Sequence, residues 1–179
     1  MLVSMQQMQV AKLASTHNVL EFDCGNAELN QFLHKYAYSN QQSGFSVSYV
    51  LAHDNQVLGY YSLAAGSIEP DQANQRTAKG AAKHPIPVMV LARLAIDSRW
   101  QNQKLGQYLL RDALLRIDRL ADEFGIRAVL VHAKNQHIKA WYESFGFAPS
   151  PFDDLTLLLI LKDLRKFLTR QVTVFPAIP

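Results

Sequence analysis

The sequence has little cysteine and no long apolar run, and each shortage excludes a class of protein. Cys24 is the only cysteine among 179 residues, so an internal disulfide cannot form and a cysteine-based metal cluster is disfavoured. The longest apolar stretch, residues 155–161, is interrupted by Thr156 and is too short to cross a bilayer. Residues 1–13 lack the apolar core of a signal peptide. We therefore expect a cytoplasmic protein with no bound metal and no membrane contact.

The remaining composition is that of a globular protein. Hydrophobic residues make up 49% and charged residues 18% of the chain, which separates it from disordered sequences. The net charge of +3 and the isoelectric point near 9.0 permit an anionic partner without requiring one. The length suits one core, and no repeat or linker divides it, so we expect a single domain over residues 1–179.

The apolar periodicity, together with capping and turn residues, predicts an alternation of helices and strands. Asp23 or Asn26 can cap a helix that carries Leu29, Phe32, Leu33 and Tyr36 on one face. A strand, a helix and another strand with apolar patterns form a βαβ unit, whose strands are parallel. The predicted elements after the first helix are a hairpin (45–52 and 57–65), a loop (67–87) with a short helix (72–78), a strand (88–96), a helix (105–124) closed by Gly125, a strand (128–133), a helix (138–145), a strand (155–161) and a helical turn (163–168).

The first segment with chemical potential is the turn from Trp100 to Gly106. A buried strand leads into this polar turn, and the turn leads into the first turn of a helix. The free backbone N–H groups of such a turn lie at the positive end of the helix dipole and can bind a pyrophosphate. An ordinary connection between a strand and a helix has the same polar character, so this turn alone leaves both interpretations open.

The second segment runs from Ala140 to Phe147. A short helix places Trp141 and Phe145 on one side, where they favour core packing, and turns Tyr142 elsewhere. A phenol with a pKa near 10 can protonate a departing thiolate. Tyr142 taken alone is more simply explained as a structural aromatic than as an acid.

Together, and in this order, the two segments resemble the GNAT family of N-acetyltransferases. The family's acetyl-CoA motif is Gln/Arg-x-x-Gly-x-Gly/Ala at a helix start, and residues 101–106 read Gln-Asn-Gln-Lys-Leu-Gly. Its acid is often a tyrosine just before Phe-Gly-Phe, which matches Tyr142 before residues 145–147. The resemblance implies an α/β (α+β) fold: a mixed, mostly antiparallel sheet with a splayed parallel pair, flanked by helices.

Further segments resemble one subgroup, the GNAT toxins of bacterial toxin–antitoxin pairs. They are residues 22–26 with Leu29, Asn30, Phe32 and Leu33, residues 84–87 leading into 91–95, and Val131-His132-Ala133. The resemblance implies acetylation of the α-amine of aminoacyl-tRNA, which stops translation, with a ribbon-helix-helix antitoxin and a homodimer. The alternatives are a GNAT that acetylates a protein or small-molecule amine, and a catalytically impaired GNAT-fold binding module.

The resemblance also assigns roles to individual residues. A backbone N–H near Leu94 polarises the thioester carbonyl, Tyr142 protonates the thiolate, and the acceptor amine is acidic enough for water to serve as base. His132 is a possible base or a satisfied structural group. The implied cofactor-binding residues are Leu94, Ala95, Ile96, Gln101, Asn102, Gln103, Lys104, Leu105, Gly106, Gln107 and Asn135.

The implied tRNA contacts come from basic side chains. Arg93 lies within an apolar strand, where it either contacts the acceptor stem or pairs with an acid such as Asp97. The other candidates for phosphate contacts are equally compatible with a solvated surface. They are Lys35, Arg76 and Lys83, together with Lys79, Lys139, Arg165 and Lys166.

The sequence departs from the family motif at Lys104, which replaces the first glycine. Glycine lets the backbone approach the phosphates and tolerates unusual φ, and lysine removes both advantages. Asn102 stands where the subgroup often has glycine. Because the Lys104 ammonium can itself reach a phosphate, we expect retained but weaker acetyl-CoA binding, with unimpaired binding and loss of activity as the alternatives.

Overall fold

A computed structural model of the chain describes residues 8–171. The part of the signal-peptide expectation that concerns residues 1–7 lies outside this range. The strands are β1 (Gln9–Lys12), β2 (Val47–His53), β3 (Gln56–Ile68), β4 (Ile86–Ile96), β5 (Ala128–His132), β6 (Ala148–Pro149) and β7 (Thr156–Ile160). The helices are α1 (Ala27–Gln31), α2 (Ala37–Gln42), α3 (Gln75–Ala78), α4 (Leu105–Phe124), α5 (Gln136–Glu143) and α6 (Leu161–Gln171). A π-helical segment, Phe32–Tyr36, joins α1 to α2, and 3-10 turns cover Pro70–Gln72 and Ser98–Trp100.

The strands form one seven-stranded sheet in the order β1-β2-β3-β4-β5-β7-β6. The pairs β1–β2, β2–β3, β5–β7 and β6–β7 are antiparallel. β4 and β5 are parallel, since α4 connects them and the Arg127 N–H at the start of β5 donates to the Pro87 carbonyl at the start of β4 (2.9 Å). The predicted mixed, mostly antiparallel sheet flanked by helices is therefore confirmed.

The first of two compact units comprises residues 8–64 with Leu91–Ala113. Tyr60 lies at the centre of its core, in edge contact with Phe22 (5.5 Å between ring centroids) and stacked on Phe32 (6.3 Å). Gly59 is required here, because a Cβ at this position would lie 2.6 Å from Ile96 Cδ1 and 3.0 Å from Leu109 Cδ1. This close approach lets β3 pack tightly against β4 and α4.

The second unit comprises Ala65–Val90 with residues 114–171. Its core contains Ala73, Ile86, Val88, Ala128, Leu130 and Leu158. Arg127 fixes the long connection before β4, since its guanidinium donates to the carbonyls of Arg76, Thr77 and Lys79. Within residues 8–171, no helix is both long enough and apolar enough to cross a membrane.

The sequence predicted long periodic helices best. Strand segments that depend on pairing with distant strands are longer than predicted or were not predicted. Helix α4 has the predicted bounds, and Gly125 ends it with a φ of 66°. β3 was predicted to end at Ala65 but continues to Ile68, into the predicted loop, because it pairs along β4 and Gly66 approaches Val88 and Val90. The predicted helical turn over residues 163–168 is a full helix, α6. The short strands β1 and β6 were not predicted.

Candidate functional site

The turn between β4 and α4 leaves backbone donors open at the start of a 20-residue helix. The first helical hydrogen bond runs from the Tyr108 N–H to the Lys104 carbonyl (3.1 Å), so the N–H groups of Leu105, Gly106 and Gln107 precede the helical ladder. Lys104 occupies the capping position and offers no side-chain acceptor to close them. Residues 101–104 are exposed, so these donors lie beside an open surface at the positive end of the helix dipole.

Two non-glycine residues give this turn its path. Asn102 has a φ of 61° and Lys104 a φ of 63°, both in the left-handed region. Such a conformation costs about 1–2 kcal/mol for most residues and less for asparagine, which visits it more readily. Lys104 therefore adopts the unusual φ that was expected to need glycine, and the substitution leaves only its Cβ and its charge as differences at the phosphate site.

The side chain of Gln101 makes its hydrogen bonds within the protein. Its Nε2 donates to the carbonyls of Ile96 (2.9 Å) and Cys24 (3.1 Å), which ties the turn to the end of β4 and to the segment before α1. Gln101 was predicted to contact the pyrophosphate. In this arrangement its amide instead positions the backbone that follows it.

The buried carboxylate of Asp97, which precedes the turn, accepts hydrogen bonds from residues beside it. Asp97 is 1% exposed and accepts from Arg99 Nε and Nη2 (2.8 Å each), the Arg99 N–H (3.0 Å) and the Asp23 N–H (3.1 Å). Burial raises the pKa of the Asp97 carboxyl, but the hydrogen bonds from Arg99 and Asp23 outweigh it and hold that pKa below its usual value. Ser98 adds two further bonds, from its N–H and its hydroxyl, to the Asp23 carbonyl (2.8 Å each).

The predicted alternative of an Arg93–Asp97 ion pair is wrong. The partner of Asp97 is Arg99. Arg93 lies within β4, four residues before Asp97 and about 13 Å away at the rise of a β-strand. Its guanidinium carbon instead lies 3.7 Å from the centroid of the Phe32 ring, a cation–π contact that partly compensates its position in an apolar strand.

Among the other predicted cofactor residues of the first unit, the apolar ones offer backbone and not side-chain contacts. Leu94 is half-buried, and Ala95, Ile96 and Leu105 are buried in the protein. Gly106 and Gln107 are half-buried in the first turn of α4. A ligand that follows β4 into this turn would therefore meet main-chain groups.

In the second unit, Asn135 begins α5. It has an extended backbone (φ −159°), and its side-chain oxygen accepts from the Ile138 N–H at 2.9 Å. This N-cap satisfies one of the free donors of the helix. The amide nitrogen of Asn135 remains as the group for the predicted contact with the cofactor arm.

Tyr142 lies on α5 and is 7% exposed. Its ring makes edge contacts with Trp141 (4.9 Å) and Phe147 (5.3 Å). Among residues 8–171 its hydroxyl has no hydrogen-bond partner. Burial raises the pKa of the Tyr142 phenol, which keeps the hydroxyl protonated at neutral pH and available as a proton donor.

Comparison with known proteins identifies the family. The acetyltransferase (GNAT) domain model matches residues 45–149. The chain belongs to the GNAT acetyltransferase family. The tRNA-acetylating toxin of Mycobacterium tuberculosis (strain ATCC 25618 / H37Rv) is 39% identical over 154 residues, covering 86% of this chain and 92% of the relative. The resemblance to the family and to its toxin subgroup is therefore confirmed.

Solved structures of GNAT toxins agree in fold. AtaT complexed with acetyl-methionyl-tRNAfMet is 26% identical with a TM-score of 0.82, covering 89% of this chain and 98% of that chain. An AtaT variant with one tyrosine replaced by phenylalanine, bound to the C-terminus of the antitoxin AtaR and acetyl-CoA, is 27% identical with a TM-score of 0.77. That match covers 90% of this chain and 98% of the AtaT chain.

The basic side chains of this acetyltransferase divide into two groups. Arg76 forms a two-pronged ion pair with Asp163, and Arg165 bridges Asp118 (2.7 Å) and Asp122 (2.8 Å). Lys139 pairs with Asp154 and Lys166 with Asp163. Among the predicted tRNA contacts, three exposed lysines have no acidic partner in the described range, so an external anion can reach them without displacing a carboxylate. They are Lys35, Lys79 and Lys83.

His132, the last residue of β5 in this GNAT enzyme, is exposed and engaged by one ring nitrogen only. Its Nδ1 lies 2.8 Å from Thr156 Oγ1, and that hydroxyl donates to Asp153 Oδ2 at 2.6 Å. The expected structural hydrogen bond is thus present, and Nε2, the second ring nitrogen, makes no hydrogen bond within the described residues.

Proposed function

We propose that this enzyme moves the acetyl group of acetyl-CoA to the α-amine of an aminoacyl-tRNA and acts as a translation-blocking toxin of a toxin–antitoxin pair. The observation that carries the proposal is the turn at the start of α4, whose left-handed residues hold open N–H groups at the positive end of a long helix. The 39% identity with a tRNA-acetylating toxin supports the acceptor.

Acetyl-CoA fits the chemistry of the first unit. Its pyrophosphate is an anion suited to the N–H groups of residues 105–107 and to the ammonium of Lys104. Its pantetheine arm carries amides suited to the main chain of Leu94 and Ile96. AtaT, a structural neighbour, has been solved with the same cofactor.

The transfer needs one proton donor and one carbonyl-polarising group. The amine nitrogen bonds to the acetyl carbon and gives up one N–H proton to solvent, and the carbon–sulfur bond breaks. The thiolate takes the proton of the Tyr142 hydroxyl, and solvent returns a proton to the phenolate. The backbone N–H near Leu94 stabilises the developing oxyanion. Burial raises the pKa of the Tyr142 phenol, so the hydroxyl still carries its proton at neutral pH when the thioester is attacked.

The tRNA meets the exposed cations. Lys35, Lys79 and Lys83 are free of acidic partners in the part of the chain that is described, which suits contacts with phosphates. Arg76 would first have to leave Asp163. Arg93, held on the Phe32 ring, is proposed to contact the acceptor stem.

The assembly follows the subgroup. We place residues 1–179 in a single acetyltransferase domain, a proposal supported by a family model that runs through both compact units. The inhibitor is a ribbon-helix-helix antitoxin, the active form is a homodimer and the location is the cytoplasm. Structures of AtaT with AtaR support an antitoxin partner.

Mass spectrometry of charged tRNA tests the proposal. The purified chain is added to a translation extract with isotopically labelled acetyl-CoA, and aminoacyl-tRNA is searched for the labelled acetyl group. We expect acetylated aminoacyl-tRNA and arrested translation. Label on protein N-termini, lysines or small amines with charged tRNA untouched would favour the other enzyme class. Partner binding with no transfer at all would indicate a binding module.

A further inference from the structure

Three side chains form a hydrogen-bonded chain at the carboxyl end of β5. Asp153 accepts the Thr156 hydroxyl at 2.6 Å, and Thr156 Oγ1 lies 2.8 Å from His132 Nδ1. Thr156 is the register partner of His132 across the β5–β7 pair, so the sheet itself fixes their separation. Asp153 is held in turn by the Leu155 N–H, which donates to its other oxygen (3.0 Å).

The direction of this chain fixes where the proton on the imidazole lies. A hydroxyl has one hydrogen, and the ionised Asp153 carboxylate can only accept it. Thr156 Oγ1 must therefore accept from His132, which makes Nδ1 the protonated nitrogen of the neutral ring. Nε2 then carries the lone pair, and the exposed side chain presents it to the outside.

Asp153 is the acid linked to His132, because the other acids near it pair with Lys139. The hydrogen bonds from Thr156 and the Leu155 N–H lower the pKa of Asp153, so it is ionised at neutral pH. Asp154 is occupied by Lys139 and Gln136 of α5, and Glu143 lies 3.8 Å from the same lysine. Lys134 and His137 lie in the stretch that follows β5, and the one charged residue of β4, Arg93, rests on Phe32.

We propose that His132 Nε2 is the proton acceptor for the α-ammonium group of the aminoacyl substrate, with Thr156 and Asp153 as positioning residues. This inference rests on the proposed function and names the base for it. The ammonium N–H bond breaks, the proton bonds to Nε2, and the amine keeps the electron pair with which it attacks the thioester. The imidazolium so formed is stabilised through Thr156 by the Asp153 carboxylate.

The place of His132 in the fold supports the role. Ligands of open α/β sheets bind outside the carboxyl ends of parallel strands, and His132 is the last residue of β5, one of the two parallel strands. Asn135 and Tyr142 follow it on α5 in the same compact unit. A donor and an acceptor with opposed proton states on neighbouring elements is the arrangement that an acid–base pair needs.

Four variants test the chain of bonds, with acetyl transfer to charged tRNA as the first readout. His132→Ala removes the base, and Thr156→Val breaks the link while keeping the ring. Asp153→Asn replaces the acceptor with an amide that can donate to Thr156, which would reverse the chain and place the proton on Nε2. Asp154→Asn removes the same charge from the adjacent residue, outside the chain, and is the matched control. Calorimetry with acetyl-CoA and thermal melts show that each variant is folded.

We expect His132→Ala and Asp153→Asn to lower kcat about 100-fold and Asp154→Asn to leave it within about twofold. Added imidazole should restore His132→Ala about tenfold, and it should not restore Asp153→Asn. Nitrogen-15 spectra of the imidazole should show a protonated Nδ1 in the wild type and a protonated Nε2 in Asp153→Asn.

Two results would overturn the inference and leave the proposed function intact. One is a wild type that acetylates charged tRNA while His132→Ala and Asp153→Asn keep its rate. The other is a loss in His132→Ala that imidazole does not relieve. A folded wild type that binds acetyl-CoA and transfers nothing to any charged tRNA contradicts the proposed function itself.

Discussion

The turns that follow β4 and β5 both lead into a helix, and they treat its first N–H groups in opposite ways. After β5, Asn135 keeps an extended backbone, and its side chain closes the N-terminus of α5. After β4, Asn102 and Lys104 take left-handed conformations, and the capping residue offers no acceptor. A closed N-terminus stabilises its helix, whereas an open one is able to bind an anion.

The difference between the two turns identifies the α4 turn as the less stable one. The left-handed lysine and the open donors both cost free energy at the α4 turn. The bonds that Asp97 and Ser98 make with Asp23 and Arg99 lie directly behind that turn and hold it in place. The α5 turn needs no such support. We propose that strain supported locally in this way marks the α4 turn as the binding region and leaves α5 to position Tyr142.

The largest expected effect separates binding from chemistry. Tyr142→Phe removes the proposed acid, and kcat should fall about 10²–10³-fold, since a positioned proton donor contributes on that scale. The acetyl-CoA dissociation constant should not change, because the cofactor turn is untouched. Rapid-quench acetyl transfer and calorimetry measure the two quantities.

Tyr38→Phe is the matched control for that substitution. Tyr38 is 38% exposed on α2 and should keep the wild-type rate. Full activity of Tyr142→Phe would remove the acid role and, with it, the functional contrast between the two turns.

The second effect concerns the support of the α4 turn. Asp97→Asn should lower the free energy of unfolding by about 2–3 kcal/mol, because several donors to a buried carboxylate lose their acceptor. The pKa of Asp97 is lowered in the folded state, so its contribution is complete above the ordinary pKa of an aspartate and is lost as the pH falls through the lowered value. Urea denaturation at neutral pH and below pH 4 measures both.

Asp71→Asn, at a turn on the surface, should change stability by less than about 0.5 kcal/mol. The difference in stability between Asp97→Asn and the wild type should shrink at low pH. A difference that stays constant with pH would contradict a role for the ionised Asp97 carboxylate.

Two substitutions of Lys104 separate its charge from its conformation. Lys104→Gln keeps the left-handed strain and removes the charge, so acetyl-CoA affinity should fall about fivefold and depend less on salt. Lys104→Gly also removes the charge but relieves the strain, and it should stabilise the fold by about 0.5 kcal/mol after the entropy of the unfolded chain is counted. Calorimetry at two salt concentrations and thermal melts distinguish them.

An unchanged affinity in Lys104→Gln would mean that the lysine does not reach a phosphate. A destabilised Lys104→Gly would mean that the left-handed conformation carries no strain.

The smallest effect concerns the closed turn. Asn135→Ala should cost about 1 kcal/mol of stability through the loss of the N-cap. Asn135→Asp keeps a capping oxygen and should preserve the melting temperature, but it lacks the amide donor and should raise the KM for acetyl-CoA. Equal KM values for Asn135→Asp and the wild type would leave Asn135 with a capping role alone.

Local pattern predicted the parts of the fold that local forces determine. The apolar period of α4 predicted its bounds. Asp23 or Asn26 was predicted to cap the first helix, and in the structure Asn26 does so by accepting from the N–H groups of Glu28 and Leu29. The extension of β3 and the short strands β1 and β6 depend on pairing with distant strands. The hydrogen bond from the Asp23 N–H to Asp97 joins residues 74 positions apart. The sole signal for it in the sequence is that Asp97, an acid, directly follows an apolar strand.

The site shows the same division. Tyr142 and the turn at residues 101–106 were assigned from motif resemblance, and the structure supplies a buried phenol and an open helix start. The conformation of Lys104 could not be predicted, because lysine rarely adopts the positive φ that it has here. The direction of the proton in the His132–Thr156–Asp153 chain also required coordinates.

Calorimetric titration of acetyl-CoA into the wild-type chain tests most directly whether the open α4 turn holds the cofactor. We expect one binding site per chain, with an affinity that weakens in Lys104→Glu, where the charge at the phosphate contact is reversed, and that is unchanged in Tyr142→Phe. No heat at millimolar acetyl-CoA, with the protein folded, would contradict it.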